Sequence, residues 1–182
     1  MPFFSNQTIY VSASLNELPQ HPEEIDRFYT LFARQFPGQI VDIHGTMCSG
    51  HIEYSSKESM VEQGISAVKF AYEIYAEWTA LSGKDHEFVC ISMDLGETYK
   101  WQAANPGSRV RIRLVGEIVQ FCDSASQNPD FSDSTSIILG PAMTALVLEN
   151  QGEFVEFLEF PAKRFPKSLM DRAVHKIGIR SN

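Results

Sequence analysis

The stretch GQIVDIHGTMCSG, residues 38–50, reads as an apolar strand, a tight turn at Gly45 and the start of a second strand. A turn of this kind is a natural seat for a metal-binding carboxylate, yet the residue there is Thr46. His44, beside Gly45, has the chemistry of a metal ligand or proton carrier, with only His51 across the hairpin as a second imidazole. A solvated hairpin residue is the plainer reading of it. Arg109, Arg111 and Arg113 alternate and so share one face of a strand. That face suits a phosphate or carboxylate ligand, or else it is solvated or paired with Asp42 and Asp94. The remaining carboxylates of interest, Asp94 and Asp123, form no pair at a spacing that serves one site. A Gly-rich phosphate loop and a Ser/His/Asp signature are both absent.

The balance of the chain narrows the classes further. A length of 182 residues is enough for one domain with a sizeable core, and 43% apolar content with 12% aromatics is that of a globular protein. A net charge of −8 argues against a nucleic-acid backbone as partner, because that needs clustered Lys and Arg. Cys48, Cys90 and Cys122 fit no zinc spacing and lie in apolar runs, as buried thiols of a reducing compartment do. With no signal-peptide pattern and no apolar run of about 20 residues, the expectation is a cytoplasmic protein away from membranes.

The elements that must position these residues follow from periodicity. A strand is expected in QTIYVSAS, a helix from Pro22 to Phe36, the hairpin over 39–54 and a long helix from Ser56 to about Leu81. EFVCISMDLGETYKW and SRVRIRLV alternate as strands; a helix is expected over 116–127, a strand at TSIIL and a helix opened by Pro141. EFVEFLEFPAKRFP reads as a final strand pair or extended segment, its phenylalanines packing on the sheet; the tail 167–182 is mixed, with a helix as one option. The order predicts one α+β domain over 1–182. Its core is ferredoxin-like, βαββαβ with extra strands and helices, as one mostly antiparallel sheet with helices on one face.

Four stretches in this order resemble the class III nucleotide cyclase catalytic domain, the adenylyl and guanylyl cyclase homology family. FPGQIVDIHGT (36–46) resembles its Gly-Gly-x-Val-Val-Lys-x-x-Gly-Asp hairpin, and AVKFAYEIYAEW (67–78) its long amphipathic helix. RIRLVGEIVQFCDSAS (111–126) is similar to its Ile-Gly-x-x-Val-Asn-x-x-x-Arg segment, and TSIILGPAMTALV (135–147) to its strand plus x-Ala-Thr-x-x-Leu helix. The resemblance covers roughly residues 7–160. The segment between the first strand and the hairpin is shorter than the family's, so one helical piece is missing.

The resemblance implies a chemistry in which two aspartates hold two metal ions, a Lys and a second residue read the purine, and an Asn and an Arg serve the ribose and phosphate. Carried onto this chain, the metal aspartates fall near Ala13 and on Thr46, and the purine-reading pair on Asp42 and Arg113. The Asn falls on Gln120 and the Arg on Ser124. No catalytic residue, metal site or cofactor is therefore expected. The candidate cleft residues are Asp42, Arg111, Arg113 and Gln120, with an Asp42–Arg113 salt bridge filling the purine's place. The resulting reading is a catalytically degenerate cyclase-like domain, a dimerising, regulatory or ligand-sensing module in signalling. Its partner is a second copy or another cyclase-like domain, and its ligand a nucleotide or anionic small molecule. The alternatives are a divergent metal-dependent cyclase and an unrelated ferredoxin-like binding domain.

Overall fold

The structure, a computed structural model, describes residues 4–15, 22–82, 89–102, 112–128, 130, 136–160, 163–169 and 172–180. Strand β1 (Phe4–Leu15) leads to helix α1 (Pro22–Gln35), then to the hairpin of β2 (Gln39–His44) and β3 (Met47–Glu53). Helix α2 (Lys57–Ser82) returns to β4 (Val89–Gln102), which pairs with β5 (Ile112–Val115). Then come α3 (Glu117–Ser126), β6 (Ser136–Leu139), α4 (Pro141–Glu149), α5 (Gln151–Phe154), β7 (Lys163–Leu169) and β8 (Arg172–Gly178).

Local chemistry explains the helix starts. Pro22 opens α1 with Glu23 and Glu24 at its positive end. At α2 the Ser56 hydroxyl accepts from Ser59 N–H at 3.1 Å, while the Ser59 hydroxyl accepts from Ser56 N–H at 2.9 Å. This is a reciprocal cap with serine in place of the usual glutamate.

The sheet runs β2-β3-β1-β4-β6-β8-β7, with β5 attached to β4. Its first four strands are the ferredoxin-like core: β1 lies antiparallel to both β3 and β4, and β2 antiparallel to β3. Beyond them β4 and β6 are parallel, so the β5–α3 segment is a crossover. Alternation along β1 feeds two cores. Ile9, Val11 and Ala13 pack with α1, α2, α4 and α5, whereas Tyr10 packs with Phe121, Cys122 and Ala125 of α3. The helices are thus not all on one face, because α3 covers part of the other.

The tail differs from its helical option: β8 pairs with β6 and β7 through residue 178. Of the phenylalanines before it, Phe154 is fully buried, Phe157 and Phe160 pack against the main core, and Phe157 meets Tyr72 edge-on at 5.7 Å, while the side chain of Phe165 lies outside what is described. All three cysteines are buried and free, and no described helix is long and apolar enough to cross a membrane.

Candidate functional site

The strand register lays polar residues in rows on the face shared with α3. His44, Met47, Ser14 and Cys90 form one row; Asp42, Ser49, Ser12 and Ser92 form the next; Gln39, His51, Tyr10 and Asp94 form a third. A bulge in β2 between Ile40 and Asp42 restores this register after one extra residue.

The hairpin tip is built from the backbone outward. Gly45 takes φ +57°, the left-handed conformation that a two-residue turn between antiparallel strands favours. Its carbonyl accepts from the Tyr29 hydroxyl of α1 at 2.5 Å, and the Thr46 carbonyl accepts from Leu15 N–H at 3.1 Å. The Thr46 hydroxyl then shares a hydrogen bond with Ser14 at 3.2 Å. Ser14, not Ala13, therefore faces the hairpin. Ala13 points to the opposite side and is fully buried in the main core. The two metal ions that the resemblance implies do not fit here. Two neutral hydroxyls engaged with each other supply no charge-matched ligand. Among the described residues no three His, Cys, Asp or Glu side chains are grouped to hold a metal.

Helix α3 sits over the middle row. Ser126 and Ser12 share a hydrogen bond at 2.9 Å, the Ser92 hydroxyl donates to the Cys122 carbonyl, and the Tyr10 hydroxyl donates to Asp123 Oδ1 at 3.1 Å. Burial raises the pKa of Asp123, with the hydroxyls of Ser12 and Tyr10 and the nearby His44 opposing, and the nearby Asp42 reinforcing it. Burial also raises Tyr10, and pushes the Cys48 thiol up to about 12.

The expected site residues are dispersed. Asp42 is exposed; one oxygen accepts from Ile43 N–H at 2.9 Å and the other lies 3.4 Å from His44 Nδ1. Arg113 is exposed on β5, opposite Trp101, and has no partner among the described residues. The expected Asp42–Arg113 bridge is thus not formed within the chain, although β2 and β5 approach each other. Gln120 and Ser124 sit on the exposed side of α3. Arg109 and Arg111 lie outside the described residues. The residues that do converge are Tyr10, Ser12, Ser14, Ser49 and Asp123. The alternation of Tyr10, Ser12 and Ser14 against Val11 and Ala13 was the available signal for three of them. Asp94 has another role: its carboxylate, 1% exposed, accepts from the backbone N–H of Met143 at the start of α4.

Within the third row, between Gln39 and Tyr10, His51 is 2% exposed with Nδ1 buried and unpartnered. Its Nε2 lies 3.4 Å from Glu53 Oε1, which also accepts from Asn6 at 2.9 Å and Lys100 at 2.5 Å. Burial lowers the His51 pKa below its ordinary 6.5, with Lys100 adding to this and Glu53 opposing it. The unfolded chain then takes up a proton as pH falls through the ordinary value, before the folded chain does. Stability from this group is full above about pH 6.5 and is lost as pH falls toward the lowered value. Urea midpoints across about pH 7.5 to 5 should fall less in His51→Gln than in wild type; parallel profiles would refute the assignment.

No protein-family model matches the chain, and no curated protein matches it. Solved structures do. The adenylyl cyclase CyaB from P. aeruginosa superposes with a TM-score of 0.68 at 10% identity, covering 100% of this chain and 97% of that one. The guanylate cyclase domain of RhGC from Catenaria anguillulae, solved with GTP, gives 0.66 at 12% identity over 98% and 100%. A dimeric guanylyl cyclase domain of RhoGC from Blastocladiella emersonii gives 0.65 at 11% identity over 99% and 100%. TM-scores of 0.65–0.68 with near-complete coverage on both sides agree: this chain has the fold of the class III adenylyl and guanylyl cyclase catalytic domains.

Proposed function

We propose that this chain is a catalytically degenerate cyclase-like domain that acts as a dimerising or ligand-sensing module in signalling. The observation that carries the reading is the Ser14–Thr46 hydroxyl pair, at 3.2 Å, where metal-binding aspartates would meet. Phosphoryl chemistry on a nucleoside triphosphate leans on cations to neutralise developing charge. Gln120 and Ser124 carry no charge, and Asp42 would repel the phosphates.

Pairing with a second cyclase-like chain is supported by exposed apolar side chains. Tyr99 and Val115, at 36% and 45% exposure, face each other across the β4–β5 ribbon, and Ile43 is 36% exposed on β2. The expected result with ATP or GTP and Mn²⁺ is no cyclic nucleotide above the protein-free blank, together with a concentration-dependent dimer in sedimentation velocity. Cyclic product that scales with protein concentration would establish a divergent cyclase instead.

A further inference from the structure

We propose that the acidic face of α4 and α5 docks on the basic β7–β8 hairpin of a second copy of this chain. The contact lies apart from the β2, β4 and β5 surface described above and does not rest on it. Among the described residues five large apolar side chains are exposed, and three of them, Ile43, Tyr99 and Val115, belong to that surface. The other two are Leu148, 41% exposed near the end of α4, and Val155, 51% exposed just after α5. Four exposed glutamates, Glu149, Glu153, Glu156 and Glu159, share this stretch of chain. None of the four is in an ion pair with a described lysine or arginine. Exposed apolar side chains flanked by charge of one sign fit a partner of the opposite sign.

The chain itself carries that opposite sign. Six of its 15 lysines and arginines, but one of its 23 acidic residues, lie beyond residue 160. Strand β7 holds Lys163, Arg164 and Lys167, and the register sets Lys163 opposite Lys176 and Arg164 opposite His175. It is also the last strand of the sheet, so no other described strand covers its outer edge. The two patches adjoin. Leu158 bridges to Ile179, Glu159 N–H donates to the Gly178 carbonyl at 2.9 Å, and Arg180 N–H donates to the Phe157 carbonyl at 2.9 Å. The acidic stretch therefore runs beside the end of β8, whose neighbour is β7. Adjoining patches of opposite sign suit a two-fold axis: each acidic face meets the partner's hairpin, and the contact closes as a pair. Pairing of β7 edge to edge with its own copy would instead bring like charges together.

Sedimentation velocity of the full-length chain tests this in a Val115→Asp background, which disables the ribbon surface. That chain should self-associate in about 50 mM salt and lose at least about tenfold in affinity by about 500 mM. Glu153→Lys/Glu156→Lys and Lys163→Glu/Lys167→Glu should each weaken association by at least about tenfold. An equimolar mixture of the two should restore it to within about threefold of the parent, because reversed acid meets reversed base at both halves of the contact. Circular dichroism checks folding; if the β7 variant does not fold, the acidic variant and the salt series decide alone. Association that is indifferent to the reversals, or that mixing two folded variants does not restore, overturns the proposal and leaves the ribbon contact untouched. A Val115→Asp chain that stays monomeric up to about 200 μM also overturns it, and assigns the acidic face to a cationic partner other than this chain.

Discussion

Asp94→Ala should destabilise the chain by about 2–4 kcal/mol, the sum of a lost cap, a lost charge at the helix dipole and an orphaned donor. Helix α4 begins with Gly140 and Pro141, so it has no side chain of its own to cap the first turn. Asp94 reaches in from β4. Its Oδ1 accepts from Met143 N–H and from Leu95 N–H, both at 2.9 Å, while the Met93 carbonyl accepts from Gly140 N–H at 3.0 Å. The fit requires glycine at 140, since a Cβ there would lie 2.1 Å from Asp94 Oδ2. Removing the carboxylate leaves the buried Met143 N–H without this acceptor. For a chain this long each kcal/mol moves Tm by about 2–4 °C, so a fall of roughly 5–15 °C is expected. Asp94→Asn keeps an acceptor and should lose about half as much. Thermal unfolding decides: an Ala variant within about 1 °C of wild type would show that Asp94 does not hold α4.

The same residue shows what a sequence reading reaches and what it misses. The hairpin was legible because its signal is local: an apolar run, Gly45 and a second run. Helices α1 and α2 were legible from their periodic apolar faces. Asp94 looked like a spare carboxylate because its partner, Met143, is 49 residues away, and nothing in local pattern links a strand to a helix start across the sheet. Which residue near Ala13 faces the hairpin stayed open for a related reason. Strand facing is set by register, and a shift of one residue sends a side chain to the opposite face. The tail was ambiguous because RAVHKIGIR mixes charge with apolar residues, and β8 takes its order from β6 beside it. Asp123 could be placed only once α3 was known to lie over β1.

Gly50→Val should cost about 3 kcal/mol, at the upper end for overpacking, because the ring that fills its space has nowhere to go. A Cβ at Gly50 would lie 2.2 Å from Phe36 Cε1 and 2.6 Å from Cζ. Phe36 stacks on Phe32 at 5.2 Å and meets Phe70 edge-on at 5.0 Å, while Phe32 and Phe70 touch at 5.1 Å. This aromatic cluster joins α1 and α2 to β3, the strand that carries Ser49 and His51, so its packing fixes where the polar rows lie. Phe36→Ala alone should cost about 3–4 kcal/mol by opening a cavity. In the double variant the valine occupies part of that cavity. Its loss should be smaller than the sum of the two by at least about 1.5 kcal/mol, as for residues in direct contact. Urea denaturation of the four proteins closes the cycle. Additivity to within about 0.5 kcal/mol would mean that the ring does not press on Gly50 and that sheet pairing alone holds β3 in place.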